Sequence, residues 1–181
     1  MSEIQVSNNQ LQVLKTKIIK YVPGHGVSEI QPFMLLDVSG SMIRSIGNQR
    51  KIDMLRSAVS GYKGIKQYVF SDRVTETEYI PEPYGSTELH TAFQYISKAN
   101  PQKLLLVSDG LPDDPKISIE TGKALKIPID VLYIGNSGDE GEQFMKQLAE
   151  VTGGKFMTID TMEKDNFQKN LSDGIKFMLY A

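Results

Sequence analysis

The stretch Pro32–Met42, PFMLLDVSGSM, decides the fold. It opens as a continuous apolar run and ends abruptly in an acid, two serines and a glycine. A run without polar alternation marks a strand covered on both faces, as in parallel sheets. Ligands of open parallel sheets bind beyond the carboxyl ends of the strands, near where the strand order reverses. Asp37 closes the run and therefore points into such a crevice. Asp37, Ser39 and Ser41 fall at alternate residues of a tight turn, and Gly40 lets the backbone bend so that three oxygens converge.

The rest of the chain repeats this alternation of strand and helix. Lys66–Phe70, Lys103–Asp109, Ile129–Gly135 and Lys155–Ile159 read as further strands beside Phe33–Asp37. Between them, Lys51–Tyr62, Leu89–Ser97 and Glu140–Val151 carry apolar stripes of helical period, and a helix over Lys164–Leu179 closes the chain. Such an order implies right-handed crossovers and an α/β fold. The expected architecture is doubly wound, with a mostly parallel central sheet and helices on both faces. Arg73–Ile80 alternates with period two directly after a strand, which predicts an antiparallel edge strand. In the first thirty residues, Leu11, Leu14, Ile18 and Val22 fit a helical stripe, although Ile4, Val6, Leu11 and Val13 also fit a hairpin; the helix is the reading adopted. Residues 1–30 are thus expected to form an extension packed on a domain spanning residues 31–181.

Composition narrows the function classes. The 181 residues, 40% of them hydrophobic, suit one domain with a full core. Twenty Lys and Arg against twenty-two Asp and Glu leave a net charge of -2, so no general attraction to nucleic acid or anionic lipid is expected. The absence of cysteine removes disulfides, thiolate metal sites and a cysteine nucleophile. The opening MSEIQVSNNQ has no basic and apolar leader, and no apolar run is long enough to cross a bilayer, so the expected setting is cytoplasmic.

Two other strand ends supply groups that match the first. YGSTELHTAF offers Thr87 at the start of a helix, and LLLVSDG offers Asp109 at the end of another central strand. Two carboxylates and three hydroxyls, without nitrogen or sulfur, suit Mg²⁺, with Mn²⁺ or Ca²⁺ possible, rather than Zn²⁺. The set is too small to fill an octahedron, so a coordination position stays open for water or a guest. Alone, Asp-x-Ser-x-Ser also suits a helix cap or turn without any metal. Thr87 and Asp109 at the right element ends favour the metal.

With these five positions the chain resembles a von Willebrand factor type A domain with a metal-ion-dependent adhesion site, of the stand-alone bacterial or phage type. Asp37, Ser39 and Ser41 match that family's Asp-x-Ser-x-Ser motif, Thr87 its second-loop threonine and Asp109 its third-loop aspartate. The resemblance runs from about Gln31 to the C-terminus and leaves the first thirty residues unexplained. It implies that the Ser39, Ser41 and Thr87 hydroxyls touch the metal, that the two aspartates act partly through water, and that an Asp or Glu carboxylate of a partner protein takes the open position. It further implies service in an AAA+ ATPase, chelatase-like or stress-resistance assembly.

Around that centre, Met42, Asp113 and Asp114 are the candidate partner-contacting residues. Met42 and Ile43 directly follow the motif, although turn packing is the commoner reason for such residues. Asp113 and Asp114 precede Pro115 and also read as helix caps. His25 and His90 are read as loop and helix-surface residues without a role. The expected function is a metal-dependent protein-interaction module and not an enzyme. The competing class is a metal-dependent phosphatase using Asp37 as nucleophile. Such chemistry needs an acid two residues on to protonate the leaving group, and Ser39 stands there. No nucleophile elbow and no phosphate-binding glycine-rich loop with lysine accompanies it.

Overall fold

A computed structural model describes residues 32–162 and 164–180. The readings of the first thirty residues, including His25, lie outside the described residues.

Six strands form one sheet: β1 (Phe33–Asp37), β4 (Gln67–Phe70), β5 (Val74–Glu76), β6 (Leu104–Ser108), β7 (Ile129–Gly135) and β8 (Phe156–Asp160), in the order β5-β4-β1-β6-β7-β8. All neighbours pair in parallel except β4 and β5. A small ribbon of β2 (Ser45–Ile46) and β3 (Gln49–Arg50) stands apart. The helices are α1 (Lys51–Val59), α2 (Leu89–Ser97), α3 (Pro115–Ala124), α4 (Glu140–Thr152) and α5 (Phe167–Tyr180).

The pleat explains the apolar runs. Along β1, Met34 and Leu36 join the core that holds Leu55 of α1 and Leu171 of α5, whereas Leu35 joins the core on the other side, with Phe93 of α2 and Leu148 of α4. Each of these seven side chains has no exposed surface. Both faces of the strand are covered, so no position along it may be polar until it ends at Asp37. The doubly wound, mostly parallel architecture with one antiparallel edge strand is the one the sequence predicts. The chain passes from β1 to β4 on one side and then returns to β6 on the other. The switch point lies between β1 and β6, and Asp37 and Asp109 stand at its carboxyl rim.

Element ends differ from expectation for local reasons. The edge strand, expected over Arg73–Ile80, stops at Glu76. Thr77 N still donates to Gln67 O at 3.0 Å, but the Thr77 hydroxyl then accepts from Tyr79 N at 3.0 Å and turns the chain. Pro81 and Pro83 follow and have no N–H for a ladder. Helix α1 ends at Val59 rather than Tyr62, where Tyr62 N returns to Val59 O at 3.0 Å in a turn containing Gly61. The last helix begins as a 3-10 turn at Lys164–Asn166, with the α-helix starting at Phe167.

Candidate metal centre

Three loops meet at the switch point and are stitched by backbone hydrogen bonds. Gly40 N donates to Gly85 O at 3.1 Å and Tyr84 N to Val38 O at 2.9 Å, which ties the loop holding Thr87 to the Asp37–Ser41 turn. Asp113 N donates to Thr87 O at 3.1 Å, which ties the same loop to the one after β6. Gly85 has φ +65°, and a Cβ there would lie 2.9 Å from Asp72 Cγ. Only glycine fits this bend without strain.

The side chains of the first and third loops form a connected set. Asp37 is fully buried; its Oδ1 accepts from Ser39 N at 2.7 Å and its Oδ2 from the Ser108 hydroxyl at 2.6 Å. The Ser39 and Ser41 hydroxyls lie 3.0 Å apart, and Ser41 donates to Asp109 Oδ1 at 2.5 Å. The other Asp109 oxygen accepts from the Lys51 ammonium at 2.7 Å. Burial, with the Asp109 charge beside it, pushes the Asp37 carboxyl up to about 6, against the hydrogen bonds from Ser108 and Ser39 that lower it.

Four of the five expected site residues, Asp37, Ser39, Ser41 and Asp109, are thus joined, Asp37 to Ser39 through its backbone and the other three through side chains. Thr87 stands beside them through its loop, nearly buried at 9% exposure and two residues ahead of α2. Among the described residues, no hydrogen bond joins its hydroxyl to the set. The partner-contact expectations fare differently. Met42 is fully buried in the core against α1, so it does not reach the rim; a short 3-10 turn over Gly40–Ile43 rolls it inward. Its neighbour Ile43 is 54% exposed instead. Asp114 caps α3, accepting from Ile117 N at 2.9 Å, with Pro115 in the first turn. Asp113 is exposed. His90, expected on the helix surface, is half-buried: its Nε2 lies 3.3 Å from Thr91 Oγ1, and its Nδ1 is buried without a hydrogen-bond partner among the described residues.

Two residues of the site escape a reading by sequence pattern. Ser108 looks like one more covered strand position, and Lys51 looks like an ordinary surface lysine opening a helix. A lysine in the first helical turn opposes the helix dipole, which is the one weak signal that it has another partner.

The donor chemistry fits a hard divalent cation. All the convergent groups except Lys51 present oxygen, and two are carboxylates. Among the described residues no cluster of three or more His, Cys, Asp or Glu could hold a metal, so the fit rests on hydroxyls beside the two carboxylates.

No family model and no curated protein matches this sequence. A solved structure, von Willebrand factor type A from Catenulispora acidiphila, superposes with a TM-score of 0.55 at 13% identity, over 78% of this chain and 41% of that one. The fold is therefore that of a von Willebrand factor type A domain. The chain spans less than half the length of that structure. No described helix is long and apolar enough to cross a membrane.

Proposed function

We propose that this protein is a metal-dependent protein-interaction module, which holds a divalent cation, Mg²⁺ first, and receives an Asp or Glu carboxylate of a partner protein. The observation that supports it is the chain of oxygens running from Ser39 through Ser41 to Asp109, beside buried Asp37, at the switch point of the sheet. Ser39, Ser41 and Thr87 would supply neutral ligands, and Asp37 and Asp109 the balancing charge. The cation, when bound, supplies positive charge and an exchangeable position that an oxygen anion can take. Ser108 and the Ser39 backbone hold the Asp37 carboxylate in place, and Gly85 sets the loop that carries Thr87. Exposed Ile43 and Asp113, which follow the motif in the first and third loops, would help to shape what approaches. An AAA+ ATPase, chelatase-like or stress-resistance assembly is the setting in which such a module serves.

This reading makes the protein an adaptor and not a catalyst. Asp37 is fully buried and both its oxygens already accept hydrogen bonds, which disfavours it as the nucleophile of a phosphatase. The test is capture of the partner by the immobilised chain in Mg²⁺ and in chelator. Capture should need the metal and should be lost in Thr87→Ala, which leaves α2 intact because Thr87 lies outside the helix, ahead of its N-cap Glu88. Changing the partner's acid to its amide should cost about 2 to 5 kcal/mol of affinity. A partner held equally well in chelator, or by Thr87→Ala, uses another surface.

A further inference from the structure

Lys51 is the unexpected member of the site. It is the first residue of α1, where a cation meets the positive end of the helix dipole. Its side chain is only 10% exposed, so its ammonium is also largely stripped of water. A surface lysine carries neither cost. What offsets them is Asp109, whose side chain has no exposure and whose Oδ2 lies 2.7 Å from the ammonium. Asp109 in turn lies close enough to Asp37 for their charges to repel.

We infer that Lys51 is a tethered internal cation that offsets one of the two carboxylate charges when no divalent ion is bound, and that it competes with the divalent ion for Asp109. The inference rests on the proposed metal-binding reading. A divalent ion and two carboxylates sum to zero, whereas the same set with Lys51 sums to one positive charge. The ion must therefore displace the ammonium or share Asp109 with it, and either lowers its affinity. A carboxylate from a partner brings the total back to zero. Lys51 thus keeps metal binding weak until an acidic partner arrives, and makes the two favour each other.

The test is calorimetric titration of Mn²⁺ into the chelator-stripped full chain, for the unmodified protein, Lys51→Met and Lys51→Arg, with melting in chelator as the second readout. Lys51→Gln, whose neutral amide can still donate to Asp109, serves if Lys51→Met does not fold without metal. The neutral variants should bind Mn²⁺ about tenfold tighter or more, the scale expected on removing a unit charge beside a partly buried ion. They should melt lower than the unmodified protein in chelator and regain the difference in saturating metal, while Lys51→Arg keeps the weaker binding. Equal or weaker binding by the neutral variants, or tightening by Lys51→Arg as well, overturns the role of Lys51 while the metal site stands. Absence of binding in the unmodified protein and in every variant defeats the metal reading, and this inference with it.

Discussion

At the residue scale the account turns on Asp37, a carboxyl whose surroundings favour its neutral form. Its ordinary value of 3.8 is pushed up to about 6, so between these values the folded chain keeps a proton that the unfolded chain has released. Stability from this group is therefore highest below pH 4 or so, falls as pH rises through the window to about 6, and stays at its lower value above it. Urea midpoints in chelator across that window should show this fall in the unmodified protein and lose it in Asp37→Asn. Parallel profiles would contradict it. Ser108→Ala, measured the same way above the window, removes the donor to Asp37 Oδ2 at 2.6 Å and should cost about 1 to 3 kcal/mol, while an unchanged midpoint would show the bond to be idle. Asp37, Ser39 and Ser41 were legible as neighbours because they stand in contiguous sequence at one strand end, and Asp109 because it closes another apolar run. Ser108 and Lys51 were not, since their partners stand 71 and 58 positions away and neither residue type announces a long-range bond. Met42 misled for a related reason: adjacency to the motif says nothing of which way a 3-10 turn rolls its side chain.

At the scale of elements, apolar periodicity recovered every strand of the main sheet and four of the five helices, because burial on one or two faces dictates those patterns, whereas α3 (Pro115–Ala124) was signalled only by the cap residues before it. What it could not give was where elements stop. The edge strand ended early through one threonine hydroxyl and two prolines, local events that a period-two pattern does not register. Loop geometry carries the site as much as the strands do. Gly85→Ala would put a Cβ 2.9 Å from Asp72 Cγ at φ +65°, so it should destabilise by about 1 to 3 kcal/mol and displace Thr87. Stability comparable to the unmodified protein would mean that the bend is not required. Away from the site, Asp139 caps α4 through Glu142 N at 2.8 Å and also accepts from the Tyr133 hydroxyl at 2.8 Å. Asp139→Ala should therefore cost about 2 kcal/mol in urea denaturation, more than a surface cap alone, and a loss of only a few tenths would show that Tyr133 finds another partner.

At the scale of the whole molecule, the doubly wound order places one crevice at the carboxyl rim of the sheet, between β1 and β6, and both site carboxylates stand there. Cavities also lie elsewhere. One of about 580 Å³ is lined by Arg56, Tyr62 and Ile80 beside α1 and the edge strand, well away from the Asp37–Asp109 pair. The Asp37–Asp109 site is built from loops at the ends of the strands. A ligand that binds only the folded chain must stabilise it, by about 2.7 kcal/mol when free metal stands a hundredfold above its dissociation constant. For a chain of this length that corresponds to a rise in melting temperature of about 5 to 10 °C. The measurement that tests the central claim most directly is the melting temperature of the unmodified protein in chelator and in saturating Mg²⁺ or Mn²⁺, with Asp37→Ala alongside. A rise of that size, absent in Asp37→Ala, is the predicted result; a melting temperature indifferent to metal and chelator in the unmodified protein would contradict it.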